Sequence, residues 1–151
     1  MALALVVVAT GCGGDDSSSG TAASLSKAAF VREADAICRE NREKVIKAAA
    51  KIPLQKKPEA REEVERKLIS SLLIPGLEEV VDRIRDLGPP PGGEEQIERI
   101  LALTEDAIEE AETEPETYVA GEKYRNGSVH FGEANRLARS YGMKNCLVRG
   151  A

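Results

Sequence analysis

Residues 26–52 read SKAAFVREADAICRENREKVIKAAAKI. Within this stretch Phe30, Ala34, Ile37, Cys38, Asn41, Val45, Ala48 and Ile52 recur in steps of three and four, the period of a helix that buries one face. Charged residues fill the opposite face. Ser26 is suited to cap the first turn, and Leu25 and Phe30 flank it as a hydrophobic staple. Pro53 ends the run, because it has no N–H to continue the ladder and crowds the preceding turn. Cys38 falls on the inner face, where a buried bridge would place it.

The same period repeats downstream. A second helix opens near Pro58, a favoured first-turn position, and places Val64, Leu68 and Leu72 inward. Pro75-Gly76 interrupts it, and the pattern resumes with Leu77, Val80, Val81, Ile84 and Leu87. Either a kinked long helix or two short ones is expected there. Gly88 to Gly93, with three prolines, reads as a stiff turn and not as a Pro-rich recognition site. A third helix starts with Glu94 and Glu95 at its positive end and turns Ile97, Ile100, Leu101, Thr104, Ile108 and Ala111 inward. Pro115 opens a short helical turn through Tyr118 and Val119, and residues 121–128 form a loop. The last helix carries Phe131, Ala134, Leu137, Ala138 and Tyr141. Gly142 stops it, and Cys146 follows in an extended tail. No period-two alternation stands out, so no sheet is expected. The fold class is all-α: an up-and-down bundle of about four main helices, with a kinked second helix and a short C-terminal helix.

Composition narrows the function. The formal net charge is −5, which supplies no basic footprint for nucleic acid. Aromatic residues are 3% and Trp is absent, so a stacking platform for bases or sugars is not expected.

The N-terminus reads as an address. Met1 to Ala9 is too short to span a bilayer, which takes roughly 20 apolar residues, but fits the apolar region of a secretory signal. Ala9-Thr10-Gly11-Cys12 resembles a bacterial lipobox, whose Cys becomes the lipidated N-terminus. No Lys or Arg precedes the run, and Leu is usual where Ala9 stands; a start upstream of Met1 would supply the basic region. Gly13 to Gly20 is a polar, flexible tract suited to a tether. Residues 1–11 are therefore expected to be a signal peptide, 12–24 a lipidated tether and 25–151 a single helical domain on the extracytoplasmic face of the cell membrane. With Cys12 lipidated, two of the three cysteines remain, an even number for an exported chain. A Cys38–Cys146 disulfide would close a loop of roughly a hundred residues, worth about 4–5 kcal/mol in chain entropy. The alternative is two separate buried thiols.

Chemistry is sparse. The single histidine, His130, lies at the start of the last helix; a base or ligand role competes with a simple solvent-facing position. A di-iron bundle site needs Glu-x-x-His on two helices, which the sequence lacks. The acidic run Glu105, Asp106, Glu109, Glu110, Glu112, Glu114 and Glu116 lacks calcium-loop spacing and reads as a solvated face. Asn126-Gly127-Ser128 matches a glycosylation sequon by chance. Asn135, Arg136 and Tyr141, near the expected bridge, are the candidate ligand residues. No catalytic motif is found, and no metal or cofactor is expected.

Residues 26–30, residues 34–38 and the run Asn135 to Gly142 with Cys146 resemble a group of small exported lipoproteins common in actinobacteria. The resemblance covers both ends of the domain, and the middle matches only in helix pattern and Pro-rich turn. It implies a secreted helical domain with its two cysteines paired, and no activity. The expected role is a non-enzymatic interaction or structural module of the cell envelope, held to the membrane by lipid on Cys12, with an unidentified protein or small-molecule partner and no nucleic acid. The alternative is a small-ligand or metal carrier, with its pocket between the kinked second helix and the last helix.

Overall fold

A computed structural model describes residues 24–53, 57–113 and 130–148. Among them lie α1 (Lys27–Ala49), α2 (Pro58–Leu68), a π turn (Ile69–Leu73), α3 (Ile74–Asp86), α4 (Glu94–Thr113) and α5 (Gly132–Tyr141), and no strand. Because α2, the π turn and α3 follow without a break, the fold is an all-α bundle of four helices. The signal segment, Cys12 and the tether through Ala23 lie outside the described residues. So do the turn expected from Pro115 to Val119 and the 121–128 loop.

Ser26 caps α1 as its position suggests: its hydroxyl accepts the Ala29 N–H at 3.3 Å. The α-helix stops at Ala49, short of Pro53. Tighter bonds from the Lys51 N–H to the Ala48 carbonyl and from the Ile52 N–H to the Ala49 carbonyl carry the chain onward.

Pro75 is absorbed without a break. In a regular helix its missing N–H would leave the Ser71 carbonyl unbonded and its ring would press on that turn. The turn before it widens instead, and the Ile74 N–H reaches back to the Ile69 carbonyl. The hydroxyls of Ser70 and Ser71 both donate to the Lys67 carbonyl on the turn before.

Helix α3 packs against α1 and α4, and α4 against α5. Each contributes a buried stripe: Ile74, Leu77, Val80, Val81 and Ile84 from α3, and Ile97, Ile100, Leu101, Ala107, Ile108 and Ala111 from α4. Phe30, Ile97 and Met143 are among the most completely buried side chains. In contrast, α2 buries none of its residues.

The C-terminal end of α5 decides where the tail goes. Gly142 takes φ 115°, a region costly for a residue with a Cβ. The Gly142 N–H bonds to the Arg139 carbonyl and the Met143 N–H to the Ala138 carbonyl, a Schellman motif that reverses the chain and buries Met143. The tail then lies along one stripe of α1. The Asp35 carboxylate accepts the N–H groups of Lys144 (3.2 Å) and Asn145 (2.7 Å). Cys38 is disulfide-bonded to Cys146, with their Cα atoms 5.0 Å apart, and the Arg42 guanidinium donates to the Asn145 carbonyl. Positions 35, 38 and 42 are spaced by three and four, so one face of α1 makes all three ties.

Candidate ligand cavity

The interior is not solid. A cavity of about 820 Å³ lies between the second half of α1, the α2–π–α3 helix, α4, α5 and the tail. This is within the size range of small-molecule sites, roughly 300–1,000 Å³. Its walls are mostly apolar, with Val45, Leu68, Leu72, Leu73, Ile100, Phe131 and Leu147 among them. The opening follows from what surrounds it. Beyond Asn41, α1 buries no residue; Val45 is half-buried and Ile46 is 59% exposed. The facing helix, α2, buries none either, so two apolar faces meet across space instead of interlocking.

The polar groups on the wall fall into two kinds. Some are occupied by the fold. The Thr104 hydroxyl donates to the Ile100 carbonyl at 2.8 Å. Asn135 grips the tail, its Nδ2 donating to the Val148 carbonyl at 2.8 Å and its Oδ1 accepting the Val148 N–H at 2.9 Å. Others are not. Asn41 is only 9% exposed and lines the cavity, yet its carboxamide makes no hydrogen bond among the described residues. Its room comes from Gly76: a Cβ there would lie 2.6 Å from Asn41 Oδ1. Thus the Pro75-Gly76 pair shapes the wall twice, once by widening the turn before it and once by leaving space for an amide. Arg42, Arg61 and Glu65 add charge to the same lining.

Of the three candidate ligand residues, Asn135 alone is on this wall. Arg136 is exposed, 3.8 Å from Glu133. Tyr141 is 4% exposed at the C-terminal end of α5, packed edge-on to Phe30 with ring centroids 6.2 Å apart and with Lys27 Nζ 4.2 Å above its ring. Its hydroxyl has no partner among the described residues, and a Cβ on Gly93 would lie 2.2 Å from it. Burial, with Glu94 nearby, pushes the Tyr141 hydroxyl pKa up. The three thus do not share one surface: successive helical positions point about 100° apart, and Tyr141 lies on another face. Asn41 was readable only as an inner-face position; its spare amide depends on Gly76, distant in sequence.

His130 is half-buried and its Nδ1 is paired with the Glu110 carboxylate. Glu110 belongs to the acidic run on α4, as does Glu105, which pairs with Arg85 at 2.8 Å, so two members of that run have specific partners within the fold. Among the described residues, no three His, Cys, Asp or Glu side chains are grouped to hold a metal ion, and no helix is long and apolar enough to cross a membrane.

Compared with known proteins, the chain matches no family model, no curated protein and no solved structure.

Proposed function

We propose that this protein is a non-enzymatic ligand-binding module of the cell envelope, tethered through lipid on Cys12, that takes an apolar small molecule into the cavity beside α2. One observation carries the reading. An apolar-walled cavity of about 820 Å³, partly open to solvent, lies between the helices of the bundle. Of the two roles the sequence leaves open, the carrier is the one this supports. The ligand is organic, since the wall offers apolar side chains and amides and no grouped metal donors among the described residues. The membrane address and the affiliation with small exported actinobacterial lipoproteins rest on the lipobox-like run to Cys12 and on the quoted likenesses at both ends of the domain. The competing reading, an interaction or structural module, is favoured by exposed Ile46 and by the unburied α2 face beside it.

The test is titration of the purified protein with N-phenylnaphthylamine, a neutral dye that brightens in apolar sites, together with native mass spectrometry for co-purified ligand. Saturable dye uptake, displaced by a single-chain lipid, is the expected result. A folded helical protein that takes up neither dye nor lipid would overturn the carrier reading and leave the interaction module.

A further inference from the structure

The wall of the cavity is uneven, and two of its polar residues are on α1. There Asn41 and Arg42 are successive residues, both on the lining. Asn41 Oδ1 is the carboxamide atom nearest to Gly76, and the amide makes no hydrogen bond among the described residues. Arg42 spends one donor on the Asn145 carbonyl, and no carboxylate pairs with it among the described residues. A guanidinium has five N–H donors in a planar fork, so most of its capacity remains. The charged residues on the lining are Arg42, Arg61 and Glu65, two cations against one anion, in a chain whose net charge is −5. An amide without an acceptor on the cavity wall, beside a guanidinium with spare donors, is complementary to an acceptor-rich anion. Apolar side chains make up most of the remaining wall and suit a hydrocarbon chain.

Building on the carrier reading, we infer that the cavity selects a single-chain amphiphile with an anionic head, a carboxylate or a phosphate monoester. The head is held by Asn41 and Arg42, and the chain lies between α1 and the α2–π–α3 helix. Gly76 is the specificity device: it gives the Asn41 amide its place, and a side chain at that position would displace it.

Displacement of N-phenylnaphthylamine by dodecanoate, dodecyl phosphate, dodecanol and methyl dodecanoate tests this on the full chain. The anions share a tail with the neutral probes, so the ratio of their affinities isolates the head. One or both anions should bind about tenfold or more tighter than the alcohol and the ester, since a hydrogen bond to a charged group is worth that much in affinity. Which anion wins identifies the head. In the Asn41→Leu variant the anion-to-ester ratio should fall several-fold toward unity. Equal affinity of anions and neutral probes for the wild type overturns the inference while leaving the cavity a binding site. Absence of dye uptake removes the carrier reading itself. The wild-type comparison needs no variant, so a poorly folding Asn41→Leu protein does not blunt it. An unchanged ratio in a folded Asn41→Leu protein would overturn the role given to Asn41.

Discussion

The two halves of α1 are equally helical and differently housed. In the first half, Phe30, Ala34, Ile37 and Cys38 are buried against α3, α5 and the returning tail. In the second half, after Asn41, nothing is buried and Ile46 stands 59% exposed. Both halves carry the same apolar periodicity. What differs is the cover. The first half is roofed by a tail anchored at Asp35 and Cys38, with a last tie to Arg42 where the second half begins, whereas the rest of the second half faces α2 across a cavity. An apolar stripe therefore identifies a face that is covered by something, and leaves open whether the cover is protein or ligand.

The sharpest way to break this contrast is to cut the staple of the closed half. Replacing Cys38 and Cys146 by Ala should cost about 4–5 kcal/mol, since the bridge closes a span of 108 residues. Urea unfolding would show it as a lower midpoint, and a loss under about 1 kcal/mol would mean the tail is held by its other contacts. Next, Phe30→Ala and Leu68→Ala compare the halves directly. Completely buried Phe30 should lose about 3–5 kcal/mol. Leu68, on the cavity wall and only half-buried, should lose about 1 kcal/mol or less. Equal losses in thermal melts would remove the distinction. Third, Gly142→Ala should cost about 1–3 kcal/mol by forcing a Cβ into the left-handed region at the turn that launches the roof.

The smallest effect lies on the surface between α1 and α3. Glu40 contacts Arg83 at 2.9 Å and Lys44 at 3.4 Å, and Lys44 reaches Glu79 at 3.0 Å. Hydrogen bonding to Arg83, then to Lys44, holds the Glu40 carboxyl below its ordinary range. A lowered carboxyl pKa favours the folded state above the ordinary carboxylate range, and that contribution is lost as pH falls through the folded value. Glu40→Gln should therefore lower the melting temperature slightly at neutral pH and converge with the wild type in acid, an effect that salt weakens because these groups are exposed. A difference that grows in acid would contradict it.

Much of the architecture was legible because it is local. The Ser26 cap, the inward Cys38, the Pro58 start, the trouble at Pro75 and the stop at Gly142 all follow from residues a few positions apart. The disulfide was legible by another route, the parity of the cysteines left once Cys12 is set aside. The cavity was only half legible. Val64, Leu68 and Leu72 read as a core face, yet none is fully buried. Periodicity reports an apolar face and not the distance to the next one. Asn135 drew notice for its place near the bridge, and it proves to hold the Val148 backbone. Asn41 passed for one more inner position because its meaning depends on Gly76, thirty-odd positions on, where the missing side chain matters only in three dimensions.

The tail that roofs α1 also sets an order of events during synthesis. Cys146 is made 108 residues after Cys38, roughly 5–20 s later at about 5–20 residues per second. For that interval Asp35, Cys38 and Arg42 lack the tail partners they hold in the folded chain. The first helix is thus a template that waits. Residues 144–146 are the ones that latch it, and a chain that stalls before Asn145 would keep the Cys38 thiol without its partner.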